Sequence, residues 1–79
     1  MSRARDVVEV VARALAGRPD EVSVTERAVR GQTLVELVMA PGDMGRVIGR
    51  QGRTAAALRT LVNAAAELDG GKATLEFRD

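Results

Sequence analysis

The hydrophobic repeat of this chain changes period along its length, and those changes fix which layers it can build. Residues 3–16, RARDVVEVVARALA, place Val7, Val8, Val11, Ala14 and Leu15 at helical spacing, with Arg5, Glu9 and Arg13 on the opposite side, the pattern of an amphipathic helix. Gly17 is positioned to end that helix in the left-handed conformation, and Pro19 blocks its continuation. From Glu21 to Thr25 the repeat becomes two residues, with Val22 and Val24 on one face and Ser23 and Thr25 on the other, as in a half-buried strand. Arg30-Gly31 reads as a hairpin turn, after which TLVELVMA, residues 33–40, resumes a strand with Val35, Leu37 and Met39 inward. Pro41-Gly42 stops it. Asp43 is placed to cap a short helix with Met44, Val47 and Ile48 on one side, ended by Gly49. A longer helix starts near Gly52 or Arg53 and runs to about Glu67, turning Ala55, Leu58, Leu61, Val62 and Ala65 to the core. Asp69-Gly70-Gly71 is a loop, and KATLEFRD, residues 72–79, is a last strand with Ala73, Leu75 and Phe77 inward.

The order is therefore α-β-β-α-α-β. Three strands of this alternation have one apolar face, and three amphipathic helices remain to cover it, which gives an α+β sandwich of two layers. A chain of 79 residues buries only ~60% of its unfolded surface, so we expect residues 1–79 to form a single domain with a thin core, filled at its edges by Met39 and Met44. The alanines at 55–57 and 64–66 pack closely within such a core, or let a second copy approach.

Composition narrows the chemistry. Cysteine and histidine are both absent, which removes disulfides, thiolate ligands and nucleophiles, the commonest general base and the commonest metal ligand. No G-x-x-x-x-G-K-[ST] occurs, the spacing of Gly45, Gly49 and Gly52 does not match G-x-G-x-x-G, and no carboxylate pair is set for Mg²⁺. We read the chain as non-enzymatic, with no cofactor and no metal. Its apolar runs are short and MSRARD does not resemble a secretory leader, so we expect a cytoplasmic protein without a membrane segment.

The net charge of +1 conceals an uneven distribution: residues 42–60 hold four Arg against one acid, while 20–41 and 61–79 are each net −2. Positive charge is thus concentrated where the glycines are, and screening over ~8–10 Å makes that local excess the relevant one. A Gly-x-x-Gly turn between helices leaves the first amides of the following helix pointing outward at the positive end of its dipole, an anion site by construction. Glycines at both ends let the main chain approach a phosphate, and Arg46, Arg50 and Arg53 are close enough in sequence to neutralise neighbouring phosphates. Taken singly, these glycines describe a helix cap and each Arg a solvated face; their convergence is what suggests a site.

The string Val47-Ile48-Gly49-Arg50-Gln51-Gly52-Arg53-Thr54, set in APGDMGRVIGRQGRTAAALRTLV, resembles the signature of the K-homology (KH) family. Together with the α-β-β-α-α-β order it is similar to type II KH domains, in particular the small single-domain bacterial KH proteins of the KhpA type. The resemblance implies a clamp in which Gly49, Arg50, Gln51 and Gly52 grip the backbone of about four nucleotides of single-stranded RNA. Ile48 would lie on the floor of an apolar groove for the bases, with Arg46 and Arg53 as basic flanks. Ala55 departs from the larger aliphatic residue common in the family. The chain has no Tyr or Trp and one Phe, which argues against bases stacked on aromatic platforms. The resemblance further implies self-association, pairing with a larger KH- and R3H-containing RNA-binding protein, and a role in post-transcriptional regulation or as an RNA chaperone. The rival expectation is a KH scaffold that serves only as a dimerisation adaptor and binds little or no RNA.

Overall fold

The computed structural model describes residues 2–78. The first helix, α1 (Arg3–Leu15), opens on Ser2, whose hydroxyl accepts the Arg5 N–H, a side-chain cap that satisfies one amide of the first turn. Arg5, Glu9 and Arg13 form an i,i+4 ladder of ion pairs at 2.6 and 3.1 Å. The buried stripe is Ala4, Val8 and Ala12, flanked by half-buried Val7 and Val11, whereas Ala14 and Leu15 are exposed. That differs from the expected face. A helix packed against both a sheet and a second helix buries its small residues where backbones come closest, so alanine can outrank leucine.

Gly17 does not form the left-handed cap expected of it. Ala16 ends α1 in an extended conformation, its N–H bonded to the Ala12 carbonyl. Gly17 serves proximity instead, since a Cβ there would stand 3.1 Å from Asp43 Oδ1. Pro19–Glu21 makes one turn of 3₁₀ helix, so Glu21 precedes the strand rather than starting it. Strand β1 (Ser23–Val29) and strand β2 (Gln32–Val38) form an antiparallel hairpin from Ser23 opposite Val38 to Val29 opposite Gln32. Arg30 (φ 53°) and Gly31 (φ 78°) supply the two positive φ angles of a type I′ turn, whose twist matches that of the flanking strands. This tight pairing carries β1 four residues beyond the expected end at Thr25.

Helices α2 (Met44–Ile48) and α3 (Arg53–Leu68) follow, and strand β3 (Ala73–Arg78) then adds parallel to β2, giving the sheet order β1-β2-β3. The end of α3 is closed by N–H groups of Gly70 and Gly71 bonded to the Glu67 and Ala66 carbonyls, the Schellman arrangement. The core lies between sheet and helices: Val8, Val35, Leu37, Val47, Leu58 and Val62 are almost wholly buried, each worth roughly 1.5–3 kcal/mol of apolar transfer. Leu61, expected in this core, is 51% exposed, and Ala66 takes the inward position. On the opposite side of the sheet Glu36 is bridged by Arg27 at 3.3 Å and Arg78 at 2.7 Å. This is an α+β type II KH arrangement.

Candidate nucleic-acid interface

The short helix α2 is held by Val47, which has no exposed surface, and by Asp43 at its start. Asp43 is in helical conformation and its side chain makes no cap bond to α2, contrary to expectation. Its carboxylate reaches back instead, accepting the Arg18 N–H at 3.0 Å and pairing with Arg46 Nε at 3.5 Å. The acidic member of the basic segment is thereby buried, 6% exposed, and turned away from the turn that follows.

Gly49 ends α2 at φ 76°, ψ 174°, donating its N–H to the Gly45 carbonyl at 2.9 Å. That backbone region is open almost only to glycine. A Cβ at Gly49 would collide with the Thr54 side chain and lie 3.2 Å from the Thr54 nitrogen, so the glycine backbone rests directly on the first turn of α3. Gln51 (φ 57°) and Gly52 (φ 71°) are then both left-handed. For Gln51 this costs roughly 1–2 kcal/mol, the kind of local strain that marks functional turns. Around Gly52 nothing stands within 4 Å of the Cβ position. The two glycines are therefore unequal: the first is packed against protein, the second borders open space.

The amides expected to face outward are partly used internally. Gly52 N–H bonds to the Gly49 carbonyl at 3.2 Å and Arg53 N–H to that of Arg50. No side chain caps α3, so the positive end of a 16-residue helix dipole remains directed at the turn. Arg50, Gln51 and Arg53 are exposed, and Ile48, at 37%, presents apolar surface beside them. Among the described residues Arg50 and Arg53 form no ion pair, whereas Arg46 is shared with Asp43. Ala55 is 5% exposed and belongs to the core of α3.

Arg59, on the exposed side of α3, belongs to no motif of the sequence. It lies 5.0 Å above the centre of the Phe77 ring, bordering a cleft of about 200 Å³ between α3 and β3 lined also by Val62, Asn63, Ala73, Thr74 and Leu75. Its partner is a strand residue 18 positions away, which no local pattern in the chain announces.

Comparison with known proteins fits this geometry. The family described as "KhpA/KhpB, KH domain" matches residues 5–77. The chain belongs to this KH-domain family. It is 42% identical over 73 residues to the RNA-binding protein KhpA of Clostridium perfringens, covering 92% of this chain and 97% of that one. It is 41% identical over 77 residues to the RNA-binding protein KhpA of Aquifex aeolicus, covering 98% of each. With the protein of the same name from Caldanaerobacter subterraneus it shares 51% over 61 residues, 77% of this chain and 81% of the other. No solved structure matches at comparable significance. These KH relatives are bacterial and named for RNA binding. Among the described residues, no helix is long and apolar enough to cross a membrane, and no group of three or more acidic residues is placed to hold a metal ion.

Proposed function

We propose that this KH protein is a non-catalytic, cytoplasmic RNA-binding protein of one domain, which clamps the backbone of single-stranded RNA with Gly49, Arg50, Gln51 and Gly52. Ile48 contributes apolar surface for bases, and Arg53 and Arg46 flank the strand. The observation that carries this reading is the turn itself. Its left-handed pair leaves Gln51 exposed and the Cβ side of Gly52 open, and Arg50 and Arg53, which form no ion pair among the described residues, stand beside the uncapped start of α3. Backbone contacts of this type position a strand without reading its sequence, so we expect weak sequence preference.

Titration of short random RNA with the wild type and the Arg50→Asp/Gln51→Asp variant tests it. Both changes fall on exposed residues, and circular dichroism should show an unchanged fold. Binding should be lost. Three neutralised phosphates would give a slope of log K against log salt near −2 for a single strand, but the Asp43 pairing leaves Arg50 and Arg53 as the free cations, and two give about −1.4. Unchanged affinity in the variant, or a flat salt response, would favour the adaptor reading.

Self-association is supported by the outer side of α3, where Ala57, Leu61, Ala64 and Leu68 recur at intervals of four, three and four residues, and Leu61 and Leu68 are 51% and 73% exposed. Such a stripe suits pairing between copies or with the larger KH- and R3H-containing protein, within a regulatory or RNA-chaperone complex.

A further inference from the structure

We propose that Thr54 is the positioning residue of the turn: its branched side chain, set under Gly49, holds residues 49–52 in the shape that a strand meets. The proposal rests on the clamp reading above and assigns a cause to the conformation of the clamp. Thr54 is the second residue of α3 and is half-buried. The Cβ position of Gly49 lies 2.8 Å from the Thr54 Cβ and against its hydroxyl, so the glycine backbone and this side chain touch. Elsewhere the turn has little side-chain support. Arg50 and Gln51 are exposed, nothing stands within 4 Å of the Cβ position of Gly52, and no side chain caps α3. Two backbone hydrogen bonds, Gly52 N–H to the Gly49 carbonyl and Arg53 N–H to that of Arg50, close the arch over its own residues and the first of α3. Of the two glycines, only Gly49 has a neighbour on its Cβ side, and that neighbour is Thr54.

A side chain branched at Cβ is stiff about χ1, so a support made of it keeps its place where an unbranched chain would turn aside. The Thr54 hydroxyl is not engaged elsewhere. Among the described residues it makes no hydrogen bond, unlike that of Thr60, which donates to the Ala56 carbonyl one turn back in the same helix. Nor is any buried polar side-chain atom left without a partner, so the Thr54 hydroxyl keeps contact with water. Shape, rather than hydrogen bonding, is what this position supplies. Its effect reaches Gln51, left-handed at φ 57°, a conformation that a residue with a Cβ abandons when nothing holds it. With the support in place the arch is set before a strand arrives. Without it, binding has to order the arch as well, and ordering on binding weakens affinity.

The test compares wild type, Thr54→Val, which keeps the branch and removes the hydroxyl, Thr54→Ala, which removes both, and Arg50→Asp/Gln51→Asp. Fluorescence anisotropy with short random RNA at several salt concentrations gives affinity and salt slope, and ¹⁵N relaxation dispersion on the free proteins reports motion of the turn. Urea melts establish that each titration is made on folded protein. Thr54→Val should bind as wild type does. Thr54→Ala should bind roughly three- to tenfold more weakly, the range for ordering a side chain on binding, with the same salt slope, because no charge has changed. It should also show microsecond-to-millisecond exchange at the amides of Gly49, Gln51 and Gly52 that wild type and Thr54→Val lack. Wild-type affinity in Thr54→Ala, while Arg50→Asp/Gln51→Asp fails to bind, overturns the positioning role and leaves the clamp standing. Binding by Thr54→Val as weak as that by Thr54→Ala marks the hydroxyl as a contact to the strand and overturns it too. Failure of the wild type to bind RNA refutes the clamp; exchange at these amides in Thr54→Ala alone would then still support Thr54 as the residue that orders the turn, and quiet amides would overturn that as well.

Discussion

Replacing the two glycines of the turn one at a time separates what the fold requires from what a ligand requires. At Gly49 an alanine must adopt φ 76°, ψ 174°, a region that costs roughly 1–3 kcal/mol for a residue with a Cβ. That Cβ also meets the branched Thr54 side chain and, at 3.2 Å, the Thr54 backbone. Neither is the far end of a flexible chain, so relief requires moving the start of α3, an overpacking penalty of about 1–3 kcal/mol. The sum, about 2–6 kcal/mol, is a large part of the total for 79 residues at ~0.05–0.15 kcal/mol each. Gly52 is left-handed at φ 71°, ψ 13° with open space at its Cβ position, and asparagine tolerates that conformation, so Gly52→Asn should cost under about 1 kcal/mol. With a urea m-value of about 1 kcal/mol/M for a small domain, Gly49→Ala should lower the melting midpoint by about 2 M or more and Gly52→Asn by less than about 1 M. Urea titration followed at the helical circular dichroism band measures both. If the proposed clamp holds, RNA anisotropy on the folded Gly52→Asn protein should nonetheless show weakened binding, because the new side chain fills the open space beside Gly52. A Gly49→Ala midpoint within about 0.5 M of wild type, or a smaller shift than that of Gly52→Asn, would refute the packing argument.

Four further outcomes are expected. Arg30→Asn puts the preferred residue at the first left-handed position of the hairpin and should stabilise by about 0.5–1 kcal/mol, raising Tm by about 2–8 °C in a thermal melt. The Glu26 carboxyl is held below its ordinary range by hydrogen bonding to Ser2, whose backbone N–H lies 2.9 Å from Oε1. A lowered carboxylate contributes stability above the unfolded pKa of about 4.3 and loses it as pH falls through the folded value. Urea melts of wild type and Glu26→Gln should accordingly differ at pH 7 and converge below about pH 4. Asp43→Asn keeps an acceptor for the Arg18 N–H but releases Arg46; the salt slope of RNA binding should steepen from about −1.4 to about −2.1. Leu61→Glu/Leu68→Glu alters two exposed side chains, so each change should move stability by no more than about 0.5 kcal/mol, while sedimentation equilibrium should show a shift to monomer.

Most of the architecture was legible because its causes are local. Val22 and Val24, then Val35 and Leu37, alternate as a one-sided sheet demands, and Arg30-Gly31 between them reads as a hairpin turn. The errors share a different cause. Gly17 resembled a helix terminator by its position after Leu15, but its smallness is used by Asp43, 26 residues on. Leu61 met the helical spacing of the core, yet the arc that α3 buries is set by how it lies on α1 and β3, and it selects Ala66 instead. The candidate clamp was visible as Gly-x-x-Gly with its Arg neighbours. The inequality of its glycines was not, because it depends on Thr54 folding back under Gly49.

Asp43 shows how one buried side chain links these levels. It is the only acid in the segment 42–60, and a surface position there would leave its carboxylate free to pair with the exposed Arg of the turn. Drawn inward by the Arg18 N–H across the gap left by Gly17, it instead ties the end of α1 to the start of α2 and sets the direction from which α2 approaches Gly49. The same contact holds Arg46 at 3.5 Å, so fixing the orientation of the turn withdraws one of the three cations that the sequence groups there. Orientation and charge are thus coupled through a single carboxylate. That coupling is why the free positive charge beside the turn falls to Arg50 and Arg53, the two Arg that flank the left-handed pair Gln51-Gly52.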